Sequence, residues 1–132
     1  MSLQEKYRPV LDLGLEFGVK DGYVEELDGR LRIGGTTNTQ FEKNQMWDKI
    51  KEIGGENPHD LEADIKVEIT EYFHKHIVAS GDSLSKIAGH YYGKKNVGKY
   101  MHIFEANNDI LKNPNIIHPD QELTIPFPDP NW

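Results

Sequence analysis

The stretch from His76 to Pro126 constrains this chain most, because strand, turn and helix signals follow one another there in a fixed order. Ile77-Val78 reads as a short strand, Ser80-Gly81-Asp82 as a turn, and Leu84, Ile87, Ala88 and Tyr91 then recur at helical spacing until Gly93. Asp82 is placed to cap that helix, since its carboxylate can accept from the open amides of a first turn. A second helix is expected from about residue 96 to 108, burying Tyr100, Ile103 and Phe104. Beyond a loop containing Asn113-Pro114-Asn115, Glu122-Leu123-Thr124-Ile125 reads as a strand, and Pro126 closes it because proline cannot continue a paired ladder. The expected order is βααβ.

The first half carries a different pattern. Asp28-Gly29, between Tyr23-Val24-Glu25-Glu26-Leu27 and Arg30-Leu31-Arg32-Ile33, signals a two-residue type I′ hairpin, in which both turn residues take positive φ. Counting outward pairs Val24 with Ile33, Glu26 with Leu31 and Glu25 with Arg32, so one face gains an apolar pair and the other an ion pair. Thr39 and Glu42 form a Thr-x-x-Glu capping box for a helix carrying Phe41, Met46, Trp47, Ile50 and Ile53, which Gly54-Gly55 ends. Trp47 sits at core spacing in it and reads as a packing residue. Ala63, Ile65, Val67 and Ile69 alternate with polar residues, as a strand with one buried face should. Residues 4–19 fit two patterns: Val10, Leu13 and Phe17 share a helical face, whereas Leu11 to Val19 alternates as a strand would, and Gly14 and Gly18 weaken the helix.

A chain of 132 residues is long enough for one ordinary domain or two small ones. With 36% hydrophobic and 28% charged residues it has the composition of a soluble globular protein. No apolar run approaches the roughly 20 residues of a membrane-spanning helix. The net charge of −7 lacks the basic footprint that nucleic acid or an anionic membrane surface requires. Residues 1–70 hold 9 Lys and Arg against 15 Asp and Glu, and residues 71–132 hold 6 against 7, so the acidity belongs to the first half. With no cysteine, disulfides, thiolate metal sites and cysteine nucleophiles are excluded. Met1 to Arg8 lacks the basic start, apolar block and cleavage site of a secretory signal, so the expected location is cytoplasmic; a cell-envelope location would need an export signal ahead of it.

The second half resembles a LysM module along nearly its full length. The residues that carry the resemblance are Gly81-Asp82-Ser83-Leu84-Ser85-Lys86-Ile87-Ala88, Ile103-Phe104-Glu105-Ala106-Asn107 and Leu123-Thr124-Ile125-Pro126. It implies a non-catalytic module that binds chains containing N-acetylglucosamine, such as peptidoglycan or chitin, in a shallow groove between two loops. Carried over by position, the first wall is Gly81, Asp82, Ser83 and Leu84, and the second is Ile110, Leu111, Asn115, Ile116 and Ile117. An N-acetyl group needs an apolar pocket for its methyl and amide-type partners for its carbonyl and N–H. Exposed backbone at Gly81 and side chains such as Leu84 and Ile116 can supply both, although these two side chains equally fit ordinary core positions. Pro119-Asp120 stands where the family has Pro-Gly; aspartate tolerates left-handed backbone, so the turn is expected to survive with a carboxylate added to the groove lip.

The helix, strand, strand, helix, strand order of residues 1–70, with Asp28 to Gly35 as turn and glycine-ended strand, resembles a BON domain and favours the helix at 4–19. BON domains are implicated in membrane association, protein interaction and ligand binding, and an accessory domain that packs on its neighbour fits the same pattern. The expected class is therefore α+β in two small domains. Residues 1–70 form an αββαβ unit, 71–75 a short stiff join without Gly, Pro or Ser, 76–126 a βααβ unit, and 127–132 a tail whose Trp132 is either docked or exposed.

His74-x-His76 places both rings on one side of a strand, as a metal pair would be, but no third ligand can be assigned, so the histidines read as satisfied or solvent-facing and any metal position stays unassigned. Glu25 and Glu26, adjacent in a strand, point to opposite faces and cannot act together on one substrate. With no nucleophile motif, catalytic dyad or phosphate-binding glycine loop, an enzyme is not expected, nor a cofactor beyond a possible potassium ion. The pairing of the two modules resembles a group of small bacterial proteins that includes a potassium-binding member. Two functions follow as expectations: binding of peptidoglycan or related N-acetylglucosamine oligomers, or cytoplasmic potassium binding by backbone carbonyls, drawing on both domains with the LysM fold reused.

Overall fold

The computed structural model describes residues 2–132, which divide into two compact units, one running to Thr70 and the other from Glu71 to Trp132. The class is α+β. Residues 4–19 are helical: a short α1 (Leu3–Lys6), capped by the Ser2 hydroxyl, leads into α2 (Arg8–Phe17), which has proline in its first turn. Burial decides between the two periodicities, since Tyr7 and Val10 are fully buried and Leu15 lies 82% exposed.

The hairpin forms in the expected register. Strands β1 (Lys20–Leu27) and β2 (Arg30–Thr37) pair Val24 with Ile33, Glu25 with Arg32 and Glu26 with Leu31. Asp28 (φ 54°) and Gly29 (φ 74°) both take the left-handed region that a type I′ turn demands. Arg32 lies 3.7 Å from Glu25 and 3.0 Å from Glu62 on the next strand. The apolar pair is half-formed, because Ile33 is buried while Val24, on the edge strand, is 42% exposed.

Helix α3 (Gln40–Gly54) carries the capping box: Thr39 accepts from the Glu42 amide and Glu42 from the Thr39 amide. It is the crossover that parallel pairing of β2 with β3 (Leu61–Val67) requires. Ile69, expected in that strand, falls beyond its end, although its amide still donates to Asn38 O. The sheet order is β1-β2-β3, and Tyr7, Val10, Leu31, Ile33, Met46, Ile50, Leu61 and Ile65 form the core, with Trp47 half-buried against it. Buried Tyr7 keeps its polar end satisfied by donating to Asp60 at 2.6 Å; burial and that carboxylate hold its phenol neutral well above the usual range.

In the second unit β4 spans His74–Ile77 and pairs antiparallel with β5 (Glu122–Ile125), His74 opposite Ile125 and His76 opposite Leu123. The strand thus begins earlier than the apolar pair suggests, and His74 and Lys75 are strand residues rather than a join. Val78 falls outside it but stays paired: its amide donates to Gln121 O at 2.9 Å and its carbonyl accepts at 2.8 Å from Asp120, whose φ of 73° keeps the left-handed backbone.

Helix α4 (Leu84–Tyr92) buries Leu84, Ile87, Ala88, Tyr91 and Tyr92 and ends at Gly93. Its cap is Ser83, whose hydroxyl accepts from the Lys86 amide at 3.2 Å; Asp82, one residue early, binds Ala79 N–H and His76 instead. The second helix is shorter than expected: a 3-10 segment over Lys94–Lys99 precedes α5 (Tyr100–Ala106). Asn96 turns back to cap α4 by donating to Tyr92 O, which takes it out of helical geometry, and only Ile103 is buried where Tyr100 and Phe104 are half-buried. Asn107 ends α5, and its side chain donates to Ile103 O and Thr124 O and accepts from Thr124 N–H, all within 2.8 Å. The tail is docked: Trp132 stands edge-on to Tyr92 and His102, with centroids at 5.1 and 4.9 Å.

Two substitutions test these anchors by urea unfolding read at amide signals of each unit. Thr39→Ala lowers the stability of the first unit by about 1 kcal/mol, and Thr39→Ser does not. Asn107→Leu lowers that of the second by about 3 kcal/mol, because it strands two carbonyls and an amide; a loss near zero would show that the network does not hold β5.

Candidate functional site

The first unit holds a recess of 470 Å³ between α2 and the sheet, walled chiefly by Leu11, Val19, Val24, Ile33 and Met46, with Arg8 and Asp12 at its rim. The second holds a smaller one, 320 Å³, between the turn entering α4 and the loop leading to β5. The aliphatic walls of the first offer few partners to a polar ligand. The second mixes hydroxyls, an amide and apolar groups, so it offers donors and acceptors that the first does not.

Its near wall is Asp82, Ser83, Leu84 and Ser85, and its far wall Pro114, Asn115 and Ile117, with Tyr100 from the start of α5 between them. The near wall is set locally. Gly81 takes φ 89°, a conformation costly for any other side chain, and its carbonyl accepts from Lys86 Nζ at 3.2 Å. The far wall starts from Asn107, whose carbonyl accepts the amides of Ile110 and Leu111. Asn113 then folds the loop tip by accepting the Asn115 amide at 2.8 Å.

Of the wall residues expected from sequence, Asp82, Ser83, Leu84, Asn115 and Ile117 line the recess together. Gly81 forms the turn beside it without lining it. Leu111, 3% exposed, is a core residue, whereas Ile110 and Ile116, 46% and 55% exposed, are surface residues that do not line the recess. Leu84 is a core residue, only 2% exposed, that also lines the recess. Ser85, Tyr100 and Pro114 were not expected there. Tyr100 stands three residues before Ile103, which disguises it as a core position; Pro114 adjoins Asn115 and gives no separate signal.

Electrostatically the recess is quiet. Asp82 is its one ionisable carboxylate, and the Ala79 N–H, then His76, hold its carboxyl below the usual range. Behind it, three histidines surround Tyr91: His74, His76 and His90 have ring centroids 5.4, 5.5 and 4.8 Å from the tyrosine. Burial, then the nearby His76 and His90, pushes the His74 imidazole down to about 4, and burial and Asp82 push the Tyr91 phenol up to about 12. Among the described residues no group of three or more His, Asp or Glu is placed to hold a metal ion, and no helix is long and apolar enough to cross a membrane.

Residues 76–126 match the LysM domain family. The potassium binding protein Kbp of Escherichia coli O6:H1 is 33% identical over 103 residues, which cover 78% of this chain and 67% of Kbp. An uncharacterized protein of Deinococcus radiodurans is 51% identical over 49 residues, 37% of this chain and 18% of that protein. The chain belongs to the family of LysM-domain proteins that includes Kbp.

Proposed function

We propose that the second unit is a non-catalytic binding module for glycans containing N-acetylglucosamine, of the peptidoglycan type, and that the 320 Å³ recess receives the sugar. The observation that carries this reading is the make-up of that recess. Leu84 and Ile117 offer an apolar patch for an acetyl methyl, Asn115 an amide for the acetamido group, Ser83 and Ser85 hydroxyls for ring oxygens, and Tyr100 a flat ring.

A second reading is potassium binding. The specific observation behind it is that the likeness to Kbp runs over 103 residues, a span longer than the second unit, so it reaches into both units. An alkali cation held by backbone carbonyls leaves no side-chain signature, which is compatible with the absence of a metal-ligating cluster among the described residues.

One NMR titration series separates the two. Chitotetraose is expected to shift amides at residues 82–85, 100 and 115–117 and leave the first unit unmoved. Silence with chitotetraose, together with shifts in KCl that NaCl at matched ionic strength does not produce, would overturn the glycan reading in favour of the ion.

A further inference from the structure

A polar cluster of the second unit centres on His76 and Asp82, the latter a residue of the near wall of the recess. His76 projects from β4 with Nδ1 2.7 Å from Tyr91 Oη and Nε2 2.9 Å from Asp82 Oδ2. That Asp82 oxygen also accepts the Ala79 N–H at 2.8 Å, and the Asp82 N–H donates to Ala79 O at 3.0 Å. The turn of residues 79–82 is thus closed on itself and tied through one ring to both a strand and a helix. A single neutral tautomer serves both ends, with Nε2–H donating to the carboxylate and Nδ1 accepting from the tyrosine hydroxyl. The ring stands edge-on to Tyr91 at 82°, so packing fixes its orientation as well.

We propose that His76 is a positioning residue for the recess: clamped between Tyr91 and Asp82, it holds the turn 79–82 so that Ser83 and Ser85 face Asn115 and Ile117 at a set width. Its effect on affinity rests on the glycan reading, whereas its hold on the turn does not. The physical reason is that Ala79, Ser80 and Gly81 are all exposed and bury little of their own, so the turn depends on its hydrogen bonds. Bonds to an ionised carboxylate are the stronger kind, and Asp82 receives two of them here.

The charged and titratable groups around the ring are few. His74 shares its face of β4, Tyr91 and His90 come from α4, Lys86 sits in the first turn of that helix, and the cross-strand neighbour Leu123 is apolar. Because the Asp82 carboxyl titrates lower in the folded chain than in the unfolded one, the tie is intact at neutral pH and is lost as pH falls through that lowered value.

The test uses the full chain with His76→Phe, which keeps a flat ring and removes both polar ends, and His76→Gln, which keeps a donor towards Asp82. Three readouts apply: amide exchange at Ala79 and Asp82, the Asp82 carboxylate titration by NMR, and chitotetraose affinity across pH. His76→Phe is expected to speed Ala79 exchange about tenfold, move the Asp82 midpoint up towards an ordinary carboxylate and weaken chitotetraose about tenfold, with partial recovery of all three in His76→Gln. Unchanged exchange and titration in folded His76→Phe overturn the proposal, as does a loosened turn with unchanged affinity. Should His76→Phe not fold, Tyr91→Phe, which removes one hydroxyl, carries the same readouts. A wild-type chain indifferent to chitotetraose defeats the glycan reading, while exchange and titration still support or overturn the hold of His76 on the turn.

Discussion

The second unit depends on the side chain of Asn107. Its two strands have four residues each and α5 has seven, and elements of that size are not stable alone. Asn107 joins α5 to β5 with three side-chain hydrogen bonds, while its own carbonyl receives the amides of Ile110 and Leu111 in the loop to β5. One residue therefore ends the helix, pins the strand and starts the far wall of the recess. With Asn107 only 3% exposed, its amide works in a low dielectric where a satisfied network is strong and an unsatisfied one costly. Among the described residues no buried side-chain nitrogen or oxygen lacks a partner, so the unit keeps this network without a local deficit.

The first unit solves the same problem of small size by crossover packing. Parallel pairing of β2 and β3 commits the chain to a helix between them, and α3 meets that need with its own cap and a face of Phe41, Met46 and Ile50. Tyr7 fills the space between helix and sheet, and Asp60, just ahead of β3, receives its hydroxyl. With no cysteine, each unit is held by apolar burial and by a few placed polar ties.

Where a local rule had a unique solution, the sequence was readable. A two-residue turn leaves only one way to count a hairpin, and Thr39 with Glu42 leaves only one place for the cap of α3. Where two residues competed for a role, distant partners decided. Asp82 and Ser83 can both cap α4, and the choice fell to Ser83 because Asp82 is engaged by His76, a strand residue. The start of β4 at His74 follows from the length of its partner β5, which the residues around Ile77 do not reveal. Residues 4–19 satisfied two periodicities, and only the burial of Tyr7 and Val10 separates them. The recess shows the same division: its near wall follows from a local turn, whereas its far wall lies in a loop without periodicity, so Ile110, Leu111 and Ile116 could not be sorted by sequence position.

The chemistry of the recess bears on which ligand suits it. A potassium ion needs several oxygens converging on one point, and under the proposed ion reading those oxygens are backbone carbonyls rather than carboxylates. The carboxylate here, Asp82, is turned towards Ala79 and His76, with its charge offset by Lys86 nearby. What remains facing the recess is neutral: two serine hydroxyls, an asparagine amide, a tyrosine and aliphatic carbon. The proposed ligand, an uncharged sugar bearing an acetamido group, would meet those groups without the desolvation of an ion. The two proposed readings rest on observations of different extent: the recess is local to the second unit, whereas the likeness to Kbp spans residues of both units.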